Sequence, residues 1–119
     1  KKDKALSIKN LSYGKFFQNL NFDLFNNEIL GLAGLTGSGR SEILHCLCGA
    51  VKQAKGDIVF NKSNVTLKLP YSIKEAIKNG IVLSPEERRH QGLVLSLNAA
   101  TNSILSNLFK ASNSFLKKK

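Results

Sequence analysis

The stretch "GLAGLTGSGRSEIL", residues 31–44, constrains this chain more than any other. Gly34, Gly37 and Gly39 stand between an almost wholly apolar segment, "EILGLAG" (28–34), and a segment with helical apolar spacing, "RSEILHCLCGA" (40–50). A short apolar run of that kind reads as a strand covered on both faces. Ile43, Leu44, Leu47 and Cys48 give the following segment one apolar face, and Gly49 is placed to close it as a helix. Between them Gly34-Leu35-Thr36-Gly37-Ser38-Gly39-Arg40-Ser41 fits the phosphate-loop pattern G-x-x-x-x-G-[K]-[ST], with Arg40 in place of lysine. The residue types have physical reasons. Glycine lets the backbone wrap with its N–H groups turned inward, where a Cβ would obstruct a phosphate. The helix starting near Arg40 adds the positive end of its dipole. Ser41 is placed to ligate Mg²⁺. The competing reading is a tight glycine turn between strand and helix, and the flanking elements favour the phosphate loop.

The rest of the chain supplies an α/β layer with an antiparallel addition. "ALSIKNLSYG" (5–14) and "FQNLNFDLFNNE" (17–28) alternate apolar and polar residues, which predicts two antiparallel strands, with a turn at Asn26-Asn27. "GDIVFN" (56–61) and "VTLKL" (65–69) predict a second hairpin. "SIKEAIKNG" (72–80) predicts a short helix with Ser72 as N-cap, Glu75 completing a capping box and Gly80 stopping it. "IVLSPE" (81–86) reads as a buried strand ending at Pro85, and "NAATNSILSNLFK" (98–110) as a helix capped by Asn98. The ends, 1–4 and 111–119, are expected to be flexible. The chain contains no internal repeat.

Composition removes several function classes. The net charge of +10 invites a nucleic-acid reading, but six terminal lysines, less Asp3, carry half of it. Fifteen lysines against three arginines, with twelve asparagines, are a bias of the kind an AT-rich genome imposes. The interior cations are scattered without aromatic interleaving for base stacking, so no nucleic-acid partner is expected. Cys46 and Cys48 would face about 200° apart on a helix, which suits packing better than a disulfide or a metal pair. No apolar run reaches the roughly 18–20 residues of a membrane span, and "KKDKALSIKN" has no apolar signal core, so a cytoplasmic location is expected.

Taken together, the residues resemble a known family. "EILGLAGLTGSGRSEIL", "GDIVFN" and above all "IKNGIVLSPEERRHQGLVLSL" are similar to the ATP-binding subunits of monosaccharide-type (ribose/galactose-like) ABC importers. Those subunits fuse two nucleotide-binding domains. The arginine-bearing loop, with "SPEERRHQGL" for the family's P-E-D-R-K-x-x-G-L, resembles the N-terminal half of the second domain, over about Leu6 to Leu108. The resemblance implies a partial P-loop NTPase (ABC-type) domain over residues 1–119: an antiparallel addition plus a strand–loop–helix core, stopping before the helical subdomain is complete.

It also implies residue roles. Gly34, Leu35, Thr36, Gly37, Ser38, Gly39, Arg40, Ser41 and Glu42 would hold the phosphates of ATP, with Ser41 and Glu86 toward Mg²⁺. Glu86 falls where ordinary ABC domains carry the glutamine that touches metal and water; it agrees instead with the sugar-importer subtype. Tyr13 lies near the family's adenine-stacking aromatic, though a strand-end surface tyrosine fits equally well. Arg88, Arg89 and "HQGLVL" would face the membrane subunit, or else form a solvated turn; His90 receives no catalytic role. The signature loop, the Walker B aspartate, its following glutamate and the switch histidine do not follow Leu95, so no catalytic residue is expected in this fragment. Implied partners are the companion nucleotide-binding domain, a transmembrane permease and, indirectly, a sugar-binding protein. The expected place is the inner face of the cell membrane, as a peripheral protein. Two other readings are a non-hydrolytic nucleotide- or phosphate-binding regulatory module and, behind it, a basic nucleic-acid-binding domain.

Overall fold

The computed structural model describes residues 3–105. In chain order these form β1 (Lys4–Tyr13), β2 (Phe17–Phe25), α1 (Arg40–Leu47), β3 (Lys55–Phe60), β4 (Val65–Leu69), α2 (Ile73–Lys78), one π-helical turn over Arg88–Gly92, and α3 (Ala99–Ile104). The residues divide into two compact units, one ending at Leu83 and one beginning at Ser84.

The first unit is a four-stranded antiparallel sheet in the order β2-β1-β3-β4, with α1 and α2. Simple alternation along β1 would put residues 8, 10 and 12 on one face. The buried apolar pair is instead Ile8 and Leu11. Between them β1 advances three residues while β2 advances two (Ile8↔Phe22, Leu11↔Leu20), and the pairing with β3 shifts over the same stretch. One residue is therefore extra. It is Asn10, left-handed at φ 53, and this bulge returns Leu11 to the core face. Asparagines satisfy the displaced backbone: Asn21 Oδ1 accepts the Asn10 N–H at 2.9 Å, and Asn21 Nδ2 donates to the Asn19 carbonyl at 2.6 Å.

The core joins Ile8, Leu11 and Ile58 of the sheet to Ile43 and Cys46 of α1 and Ala76 of α2. Both cysteines are buried, and burial pushes the Cys46 thiol up to about 11, as for a packing residue. Tyr71 donates its hydroxyl proton to the Leu47 carbonyl, tying the end of α1 to the segment before α2. Both helices close on paired carbonyls. Gly49 N–H meets Cys46 O and Ala50 N–H meets His45 O; Gly80 N–H meets Ile77 O and Ile81 N–H meets Ala76 O. The capping box at Ser72 and Glu75 forms in both directions.

Two expected strands do not form. Residues 28–34 and 81–84 carry no ladder. A strand covered on both faces needs neighbours on its edges, and the order β2-β1-β3-β4 includes neither segment. Ile29 is 99% exposed. The apolar composition marks these segments for cover, but among the described residues no ladder partner supplies it. Of the ends expected to be flexible, residues 1–2 and 111–119 lie outside the described residues, as do positions 106–110 of the expected last helix. Lys4 opens β1 and pairs with Asp23 at 2.8 Å.

In the second unit Asn98 caps α3 by accepting the Thr101 N–H at 2.8 Å. No helix among the described residues is long and apolar enough to cross a membrane.

Candidate phosphate-binding site

The loop before α1 is shaped by its glycines. Gly37 and Gly39 have φ of 80° and 90°, which L side chains rarely adopt. A Cβ at Gly34 would lie 2.5 Å from Ser38 Oγ and 3.6 Å from Arg40 Cδ, so the Ser38 side chain and the stem of Arg40 occupy the space a side chain there would fill. A Cβ at Gly37 would meet nothing within 4 Å. The loop is thus closed by its own side chains at Gly34 and open at Gly37. Residues 34–38 are exposed, and Gly39 alone of the loop is buried.

What the loop offers is a set of donors. The Leu35 carbonyl accepts the Ser38 N–H at 3.1 Å, and the first helical bond of α1 runs from Ile43 N–H to Gly39 O at 3.0 Å. Among the described residues no acceptor meets the amides of Gly37, Gly39, Arg40, Ser41 or Glu42. Gly39 has no side chain to cap the helix, so the first-turn donors remain available. Glu42 contributes its amide; its carboxylate sits in the first turn, where it stabilises the helix against its own dipole. Arg40 and Ser41 are exposed. Available amides, a cation and a hydroxyl around a glycine turn form a donor set that fits a polyphosphate, an acceptor-only group.

The turn between β1 and β2 meets this loop. A Cβ at Gly39 would approach Phe17 Cδ1 to 3.2 Å and Phe16 Cβ to 3.4 Å. Tyr13 stacks on Phe16 with ring centroids 5.4 Å apart and tilts against Phe17 at 6.3 Å. Tyr13, a loose match by spacing, therefore belongs to an aromatic group that touches the glycine loop at Gly39 through its two phenylalanines. Phe16 and Phe17 lie outside every sequence motif. Their only signal is the adjacency of three aromatics across one strand end, and it points to no ligand.

Glu86 and the Arg88-Arg89 pair belong to the second unit. Glu86 is exposed and has no hydrogen bond or ion pair with a described residue. Among the described residues no group of three or more His, Cys, Asp or Glu is assembled for a metal. His90 lies 3.5 Å from Glu87 on the π-helical turn, with both side chains mostly exposed. Asn102, which no sequence motif marks, organises the segment before α3. It accepts the Val94 N–H at 2.8 Å and donates to the carbonyls of Val94, Leu97 and Asn98 at 3.0, 3.0 and 3.1 Å. One side chain holds the 94–98 loop on α3, beside an open depression of about 410 Å³ lined by Leu93, Val94, Leu95 and Leu97. An asparagine inside a helical pattern carries no sequence signal of that kind.

Comparison with known proteins identifies the family of the chain. A family model described as ABC transporter matches residues 17–117. The ribose import ATP-binding protein RbsA of Clostridium tetani is 42% identical over 117 residues, covering 98% of this chain and 23% of that protein. The galactose/methyl galactoside import ATP-binding protein MglA of Fusobacterium nucleatum subsp. nucleatum is 41% identical over 116 residues, 96% of this chain and 23% of that protein. A putative ribose/galactose/methyl galactoside import ATP-binding protein of Agrobacterium fabrum is 36% identical over 113 residues, 95% of this chain and 22% of that protein. The chain spans less than a quarter of the length of these curated relatives. No solved structure matches. The family match runs from the start of β2 through the glycine loop to residue 117, and the chain belongs to the ABC transporter family.

Proposed function

We propose that this chain is the nucleotide-binding part of a monosaccharide importer, corresponding to the N-terminal half of the second of two fused domains. The observation that carries the reading is the set of amides at Gly37 and Gly39–Glu42 that meet no acceptor among the described residues, around a glycine loop with Arg40 at the first helical position. Relatives named for ribose and galactose import support the sugar class. ATP would lie with its phosphates on Gly34–Ser41, and the Ser41 hydroxyl would be an oxygen ligand for Mg²⁺; Glu86, the carboxylate that the resemblance assigns to the same metal, belongs to the second unit. The magnesium ion supplies charge neutralisation between phosphate oxygens when bound. The partners are the companion nucleotide-binding domain, a transmembrane permease and, through it, a sugar-binding protein, at the cytoplasmic face of the membrane.

Arg40 shapes what this site does. A lysine ammonium is a compact point charge, whereas guanidinium is planar, bulkier and forked. The exchange keeps the charge and the phosphate attraction and changes alignment at the terminal phosphate. The intact site then binds nucleotide and hydrolyses it poorly, while the companion site carries turnover. Turnover near wild type in an intact transporter whose companion-site lysine has been disabled would contradict this.

The binding assignment is tested on the ¹⁵N-labelled 119-residue chain titrated with Mg-ATP. Amide shifts confined to Gly37–Glu42 and saturating only in the millimolar range, about −4 kcal/mol, are expected of this loop. Absence of shifts in those amides, or shifts elsewhere only, would remove the phosphate assignment. Low-micromolar affinity would show that this segment alone suffices.

A further inference from the structure

We infer that Phe17 is a positioning residue for the phosphate loop: the tip of the β1–β2 hairpin holds Gly39 in its left-handed conformation and so aims the first amides of α1. The inference rests on the phosphate-binding function proposed for the loop and adds to it a residue outside the glycine motif.

Gly39 is the hinge of the loop. It is the helix N-cap at φ 90 and ψ 9, and its carbonyl accepts the first helical bond, from the Ile43 amide. The direction in which the amides of Arg40 and Ser41 point is therefore set by the Gly39 torsions. Glycine has the widest torsional freedom of any residue, so an unsupported Gly39 would sample several orientations. The loop around it gives little support. Residues 34–38 are exposed, and their one backbone bond inside the loop is from Ser38 to Leu35.

Gly39 is nonetheless buried, and the groups that cover it come from far along the chain. The Phe17 ring supplies two of the three atoms nearest its Cβ position, at 3.2 and 3.7 Å, and Phe16 Cβ supplies the third at 3.4 Å. Phe17 is itself anchored. It is half-buried at the start of β2, paired with Tyr13 across the strand, and packed against the main core. The ring thus links the hydrogen-bonded sheet to the glycine whose torsions orient the first donors of α1. A loop held in its binding geometry before the ligand arrives loses less freedom on binding.

Phe17→Ala removes the ring, Phe17→Leu keeps apolar bulk against Gly39, and Leu20→Ala is the control. Leu20 is also a half-buried core-packing residue of β2 but lies beyond the hairpin tip. Each ¹⁵N-labelled chain is titrated with magnesium tripolyphosphate, read from the folded-state amide peaks of Arg40 and Ser41, so that loss of stability does not enter the affinity. If the aligned loop falls to about a tenth of the population, apparent dissociation constants rise about tenfold. Phe17→Ala is expected to show that rise together with moved Arg40 and Ser41 peaks in the ligand-free chain. Phe17→Leu should recover most of the affinity, and Leu20→Ala should stay within about twofold of wild type. Equal affinity in Phe17→Ala and wild type overturns the inference and leaves the phosphate assignment standing. An equal loss in Leu20→Ala also overturns it, because the effect would then be general loosening. Failure of the wild-type chain to show shifts at Gly37–Glu42 overturns both.

Discussion

Arg40 is where residue chemistry and family pattern part. Its guanidinium is exposed at the first position of α1, and its stem passes Gly34. Charge and shape can be separated by substitution. Arg40→Lys keeps the charge, so affinity for magnesium tripolyphosphate should stay within about twofold; Arg40→Ala should weaken it by about three- to tenfold, discounted for solvent exposure. That loss should shrink as ionic strength rises, since an exposed charge is screened beyond about a Debye length. A loss in Arg40→Ala that is insensitive to salt would point to a structural role for the stem instead. The pattern of glycines marked this candidate site in the sequence. Phe17 was not legible, because its role depends on a contact between positions 17 and 39 that no local spacing encodes.

At the scale of elements, α2 shows how far local chemistry can be read. Ser72 Oγ accepts the Glu75 N–H at 3.2 Å, and a Glu75 carboxylate oxygen accepts the Ser72 N–H at 3.0 Å. These bonds to the Ser72 backbone and hydroxyl hold the Glu75 carboxyl below its ordinary range. A lowered carboxyl contributes stability that is complete above the unfolded value and is lost as pH falls through the folded one. The melting-temperature advantage of wild type over Glu75→Gln should therefore shrink from about pH 6 to pH 3; a flat difference would refute the cap as an ionised one. This helix was legible residue by residue since cap, box and stop are all short-range. The segments 28–34 and 81–84 were not. Their composition states that they are to be covered, but whether a strand forms depends on a partner's backbone, which composition does not contain. The Asn10 bulge was hidden for a related reason: alternation predicts faces only while every residue is paired.

Taken whole, the described residues expose much apolar surface. Ile29 is 99% exposed, Leu35 86% and Val82 76%. Surface of that kind, in extended segments without ladder partners, favours association between copies. Sedimentation of the 119-residue chain should show mass rising with concentration, and Ile29→Lys with Val82→Lys should suppress it. A monomer at all concentrations in the wild type would show that these segments find cover within the chain. The α/β class and the four antiparallel strands were legible because each strand carries its own pattern. The division at Leu83 and Ser84 was not, since "NGIVLSPEER" contains no linker-like composition.

The contact of the hairpin tip with Gly39 bears on the order of assembly. The β1–β2 hairpin is local in sequence, the kind of contact expected to close first, whereas Ile8 meets Ile58 only across a separation of fifty residues. The glycine loop and α1 lie in the chain between these two events. During synthesis the hairpin can therefore stand ready as a template before the loop is made. On that order the loop meets the hairpin tip before β3 pairs with β1.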